Sequence, residues 1–211
     1  MGIIKRGILG GFSNKVANVV GSSWKGIAYM RAMPLSVANP RTAGQVNQRT
    51  RFGTISAFAS AIVGSWVQPL WNRFAVQASG FNDFVRVNID YVANNGTIDY
   101  TNLKMSKGKL LNIVNQDYPV TPVAGDFTIQ TTWDDNTGDS NALANDEIYV
   151  IGYNFNKDLW SGVGVNQRSV GAVNITFNEE VSAGNQIWVY FSARRQDGTI
   201  VSDSKYLSIT V

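Results

Sequence analysis

The densest run of metal-type oxygens in the chain is Asp134-Asp135-Asn136-Thr137-Gly138-Asp139. Alternating carboxylate and amide oxygens on a tight loop suit a hard cation such as calcium. Gly138, however, takes the fifth place of a regular calcium loop, and Asn145 stands where the bidentate Glu belongs. The segment is therefore expected to be a solvated loop between strands, holding no metal. Adjacent acids occur at Asp134-Asp135, Asp146-Glu147 and Glu179-Glu180. Neighbours on a strand point to opposite faces, so such pairs do not converge on one substrate atom. The sequence contains no His and no Cys. That removes the commonest general base near neutral pH, the thiolate nucleophile and the commonest transition-metal ligands. An enzyme would need two distant carboxylates brought together by the fold, as in glycoside hydrolysis, and nothing singles out such a pair. The expectation is a protein with no catalytic residues, no cofactor and no small-molecule substrate.

Charge placement is far more informative. No Asp or Glu occurs before Asp83, while that stretch carries nine Lys or Arg; all fifteen acids follow, against nine further bases. A segment that repels itself so uniformly is expected to lie against something negative. The candidate partner-binding set is Lys5, Arg6, Lys15, Trp24, Lys25, Arg31, Arg41, Arg49 and Arg51. In one reading these residues dock on acidic patches of neighbouring subunits, including other copies of the chain; a head-to-tail contact of that kind builds rings or tubes. In the alternative the cations meet phosphates, with Trp24, Tyr29 and Phe12 available for stacking. No nucleic-acid-binding motif supports that alternative. The Gly-rich opening Gly7-Ile8-Leu9-Gly10-Gly11 lacks the Gly-Lys-Ser/Thr ending of a phosphate loop and reads as closely packed backbone.

The elements that must carry these residues follow from periodicity. Residues 1–41 are punctuated by glycine and keep no helical period, which favours an extended basic arm or bent β-ribbon. Thr42 and Gln45 have capping-box spacing, and Val46, Phe52, Ile55, Ala59, Ile62, Val63 and Trp66 recur near 3.6 residues. One long helix with a kink at Pro69 is expected over residues 42–78. From Phe84 to Tyr91 the apolar residues alternate, which predicts a strand. With the turn signal Asn94-Asn95-Gly96 it makes a β-ribbon over 79–118. Beyond Pro119 and Pro122, strands are expected around 127–133, 148–153, 173–177, 187–191 and 207–211, with an Asp197-Gly198 turn before the last. That spacing predicts an immunoglobulin- or fibronectin-like sandwich over 119–211, and a mainly β (α+β) protein. Among the tryptophans, Trp160 sits in an expected loop and is the candidate for an exposed glycan contact; Trp133 and Trp188 fit core or rim packing. The longest apolar region, Ile55 to Leu70, is interrupted by Ser56, Ser60, Ser65 and Gln68, so no membrane span and no conventional secretion are expected.

Several segments carry a resemblance. They are Gly7 to Ser13, Val20-Gly21-Ser22-Ser23-Trp24-Lys25-Gly26 with Tyr29 and Arg31, and Asn39-Pro40-Arg41-Thr42 with Gln45, Gln48, Arg49 and Phe52. Near the other end are Trp133, Asp146, Tyr153-Asn154, Arg168, Asp197-Gly198, Ser202, Ser204 and Tyr206. Together they resemble an uncharacterised family of Bacteroidota bacteria and their tailed phages. The family has no assigned activity, so no catalytic or ligand-binding residue carries over. The resemblance implies a structural, oligomerising virion component of a tailed phage or prophage, in the head, connector or tail. Such a protein is assembled in the bacterial cytoplasm and docked on copies of itself and other virion proteins. The rival functions are a nucleic-acid-associated basic protein and a glycan- or surface-binding module carried by the sandwich.

Overall fold

A computed structural model describes residues 12–36, 39–118 and 122–211, together with the backbone of Ile3–Ile4. The chain divides into two compact units, Met1–Thr42 and Ala43–Val211, and the described residues are mainly β with three α-helices.

The first unit is an antiparallel meander of β1 (Ile3–Ile4), β2 (Phe12–Val16), β3 (Val19–Trp24) and β4 (Ile27–Ala32), paired in that order. The ribbon form of the expected arm is thus the one adopted. Lys25 (φ 49°) and Gly26 (φ 84°) both lie in the left-handed region, and Trp24 pairs directly with Ile27. Positive φ at both central residues is what a two-residue type I′ hairpin requires, and Gly26 supplies it without steric cost. Gly21 is needed for a second reason: a Cβ there would fall 2.2 Å from Phe12 O and 2.6 Å from its ring. Among the described residues of this unit, Gly21 alone is buried.

The second unit opens with α1 (Ala43–Ala61), a π-helical turn (Val63–Val67) and α2 (Gln68–Trp71). The expected single helix is therefore three pieces, and the irregularity falls one turn before Pro69. A proline ring crowds the carbonyl four residues earlier, here Ser65, so its strain lands within the turn that widens. Val67 N bonds Ile62 O across five residues. Pro69 itself sits at the start of α2, where its missing N–H costs nothing.

A second correction concerns Phe84 to Tyr91, which forms α3 (Gly80–Asn88) and a 3₁₀ turn (Ile89–Tyr91) in place of a strand. Ser79 caps α3 by accepting from Asn82 N, and Phe84, Val85 and Asn88 are buried at helical spacing. Alternating Val85, Val87 and Ile89 is compatible with either element, and the cap with its buried stripe decides. The Asn94-Asn95-Gly96 turn does form, closed by Ala93 N to Thr97 O, but only a single bridge, Val92 to Ile98, flanks it.

The five expected C-terminal strands are all present, as β6 (Thr128–Asp134), β7 (Glu147–Asn154), β10 (Ala172–Thr176), β11 (Gln186–Arg194) and β12 (Lys205–Thr210). They are joined by β5 (Val114–Asp117), β8 (Leu159–Trp160) and β9 (Gly164–Gln167). One antiparallel sheet has the order β10-β6-β5; the other runs β12-β11-β7-β8, with β9 also on β7. Alternation along β7 and β11 gives the larger sheet two buried faces. Ile148, Val150, Ile187, Val189 and Phe191 share a core with Ile129, Trp133 and Ile175 of the smaller sheet. Ile151, Tyr153, Trp188 and Tyr190 share another with Phe58, Ile62, Trp66 and Phe84 of the helices. Helices, large sheet and small sheet thus form three layers. Trp66 and Trp71 fix the helical layer by both donating to Met105 O, at 2.9 and 2.8 Å.

Candidate functional site

The Asp134–Asp139 loop is built for structure. Asn136 turns inward, donating to Asn112 O at 3.0 Å and accepting from Arg168 Nη1 at 2.6 Å. Asp135 spends a carboxylate oxygen on Thr137 Oγ1 and N, bonds that hold its pKa below the ordinary carboxylate range. Among the described residues no cluster of three or more acids is placed to hold a metal.

Nor do the paired acids form dyads. Asp146 is fully buried, with Arg168 Nη2 at 3.2 Å from one oxygen and Arg195 Nε at 2.8 Å from the other. Glu147 turns the other way, toward Arg194 and Tyr149. Burial pulls the Arg168 pKa down while Asp146 pushes it back up. Both charges, and the Arg168 carbonyl that accepts from Trp133 Nε1, are thus used within the fold.

Lys5 and Arg6 lie outside the described residues. The pairings Lys15 to Val20, Val20 to Arg31, Ser22 to Tyr29 and Trp24 to Ile27 place these side chains on one face of the N-terminal sheet. Lys15, Arg31, Trp24, Tyr29 and Ile27 therefore stand together, all exposed, with the Lys25 ammonium 4.9 Å from the Trp24 ring. The other face carries Val16, Val19 and Met30, also exposed. Arg41 is exposed just before α1, and Arg49 is exposed on α1. Arg51 is different: it is held inside its own unit by Ile89 O at 2.7 Å and Asp90 at 2.8 Å. Three of the nine candidates, Lys15, Trp24 and Arg31, thus share one face, with Lys25 at its tip.

A cavity of about 610 Å³ lined by five aromatic side chains was not expected from the sequence. It opens between α1 (Thr54, Ala57, Phe58, Ala61), the Asn95–Ile98 turn and the β7–β8 hairpin. Trp160 is not in an exposed loop but half-buried on β8, paired with Tyr153 and 4.7 Å from the Phe58 ring. Tyr100 stacks on Tyr153 at 5.4 Å and meets Phe155 edge-on at 5.7 Å. Asp158 accepts from the Tyr153 hydroxyl at 2.7 Å; burial, and this carboxylate, push that phenol far up, so it remains a donor. The cleft is lined by one carboxylate and no Lys or Arg, because Lys157 is turned away to Glu180 O at 2.6 Å. The signal available in sequence was the aromatic trio Tyr153, Phe155 and Trp160 around an Asn-Lys-Asp turn; its partners Phe58 and Tyr100 are too distant in the chain to be associated by spacing.

A family of unknown function (DUF6266) matches residues 11–208. No curated protein and no solved structure matches the chain. The protein belongs to that family, and the match spans both the N-terminal sheet and the layered unit.

Proposed function

We propose that the protein is a structural, oligomerising component of a phage or prophage particle, docking through its N-terminal sheet on acidic surfaces of neighbouring copies. One observation carries this reading: a four-stranded sheet without a single acid, whose basic face and apolar face are both exposed. Three-stranded and larger sheets need a packed hydrophobic face to be stable in water. Each exposed Val or Met of this sheet would contribute part of the roughly 1.5–3 kcal/mol that full burial of such a side chain yields. Residues 1–42 carry six cations and no acid, a charge of +6; residues 43–211 carry twelve cations and fifteen acids, a charge of −3. Charge matching of this kind orients partners and speeds encounter, while the apolar face supplies most of the affinity. Among the described residues strand β4 is an edge of its sheet and carries no acid or proline, the kind of edge that can pair with another chain. The strand order β10-β6-β5 against β12-β11-β7-β8 supports reading the two sheets as an immunoglobulin-like sandwich. In this reading the sandwich is the body of each subunit and the sheet its tether, with no catalytic step and a location in the virion.

Light scattering across concentration tests the proposal. The mass should rise with concentration at low salt and fall as salt screens the charge contacts, over a Debye length of about 8 Å at 0.15 M. Lys15→Glu with Arg31→Glu should hold it at the monomer. A monomeric wild type at every concentration would overturn the reading.

The alternation of Lys15 and Arg31 with Trp24 and Tyr29 on one face favours a second reading, binding of single-stranded nucleic acid by stacking and phosphate contact. It requires affinity for an oligonucleotide that falls with salt at a logarithmic slope of roughly 2. A salt-independent or undetectable affinity disposes of it.

A further inference from the structure

Resting on the assembly reading above, we infer that the β3–β4 hairpin tip of one copy inserts into the aromatic cleft of a second copy, with Lys25 meeting Asp158. The tip is a projecting knob. Trp24 and Ile27 face each other across the last rung at 64% and 66% exposure, and the tight Lys25-Gly26 turn sets the ammonium beside the indole. A rigid tryptophan flanked by a cation is the side-chain chemistry that dominates interface energetics.

The cleft offers the matching hole. Its α1 wall is made of Thr54, Ala57 and Ala61, small residues that leave room, and its floor is Phe58, Tyr153 and Trp160. A volume of about 610 Å³ lies within the range that encloses a drug-sized group, so an indole and its cross-strand neighbour fit. The lining has one carboxylate and no cation. Asp158 commits one oxygen to Tyr153, and no described group is bonded to the other. The charge of the hole is thus the complement of the charge on the knob, and an anionic ligand is disfavoured there. Aromatic faces beside a carboxylate also suit an ammonium through cation–π attraction. Tip and cleft are different surfaces, so the contact either closes by reciprocal exchange in a two-fold dimer or propagates into a ring or an open filament.

The experiment follows the mass of the full-length chain against concentration by sedimentation velocity, with melting curves to confirm folding. Trp24→Ala, and Ala57→Phe, which fills the cleft from the exposed side of α1, should each raise the half-assembly concentration at least tenfold. Lys25→Glu and Asp158→Lys should each weaken assembly, and the two together in one chain should restore it. Mixing Trp24→Ala chains with Ala57→Phe chains should give one-to-one pairs and nothing larger, because each pair retains one tip and one cleft. If Ala57→Phe fails to fold, the Lys25 and Asp158 charge exchange carries the test. Loss of assembly in Trp24→Ala with full assembly in Ala57→Phe and Asp158→Lys would overturn the cleft as the receptor while leaving the assembly reading standing. A wild type that stays monomeric would overturn both. The cleft would instead be a sugar site, and the inference wrong, if Ala57→Phe leaves assembly intact but abolishes a tryptophan fluorescence change on adding a neutral chito-oligosaccharide.

Discussion

The N-terminal sheet and the layered unit treat the same kinds of side chain in opposite ways. In residues 43–211 the alternation along β7 and β11 sends apolar groups to two faces and both are covered, one by helices and one by a second sheet. In β2–β4 the same alternation also yields two faces, and most of the side chains on both are exposed. The cations differ in parallel. Arg168, Arg195 and Arg51 are each held by a carboxylate of their own unit, whereas Lys15, Lys25 and Arg31 have no acid available anywhere in residues 1–42. Burial within one subunit makes the second unit a stable body. Equivalent material in the first is left exposed, so the cost of ordering its strands, about 1–2 kcal/mol per residue, has little described apolar burial to offset it.

The sharpest way to test the stable body is to break its buried charge network. Asp146→Ala leaves the Arg168 guanidinium fully buried without its counter-ion, since Asn136 and the Leu111 carbonyl are its remaining partners. Removing one member of a buried pair costs about 3–5 kcal/mol, so urea denaturation should show a midpoint shifted down accordingly. A loss below about 1 kcal/mol would mean that water enters to solvate Arg168, and that the network is less closed than its geometry implies.

A smaller loss is expected between the sheets. A Cβ on Gly152 would approach Ile175 Cδ1 to 2.8 Å and Phe177 Cζ to 2.9 Å. Gly152→Val should therefore cost about 1–3 kcal/mol by overpacking, read by the same denaturation experiment. Next comes the α3 cap: Ser79→Ala removes the acceptor for Asn82 N and should cost roughly 1 kcal/mol. No change would mean that packing of Phe84 and Val85 alone holds the helix.

The C-terminal strands were legible because two constraints coincide in them: a period of two and turn residues at their ends, as at Asp197-Gly198, where Gly198 N bonds Arg195 O. The helical layer was legible only in part. Ile55, Ala59, Ile62 and Trp66 announce a helix, but the π turn that swings Trp66 toward Met105 O answers to tertiary packing, which periodicity does not register. At Phe84–Tyr91 the strand reading failed because β-branched residues at alternate positions also fall on a helix whose buried stripe includes a polar residue, Asn88, bonded to Lys104 O. The basic face was readable as a set of residues, and only strand register shows that Lys15, Trp24 and Arg31 share it while Arg51 does not. Asp146 and Arg168 stand out in the sequence as separate landmarks; that they neutralise each other is a product of the fold. The cleft was illegible for the same reason, since it joins Phe58, Tyr100 and Tyr153 from three separate elements.

The smallest effect is expected where the comparison is most exposed to failure. Met30 lies on the apolar face of the N-terminal sheet, opposite Gly21, and is among its most exposed side chains. Met30→Glu replaces an apolar group with a charge of the sign that the first 82 residues lack entirely. If that face is free in the isolated subunit, the substitution touches no core, and stability of the layered unit should stay within about 0.5 kcal/mol of the wild type. Assembly should nonetheless weaken, because a carboxylate would have to be desolvated when the face is covered. A large drop in stability at concentrations where the protein is monomeric would show the face already covered within one subunit. The contrast between a self-sufficient body and a tether that depends on its neighbours would then fail at its root, whatever the charge pattern suggests.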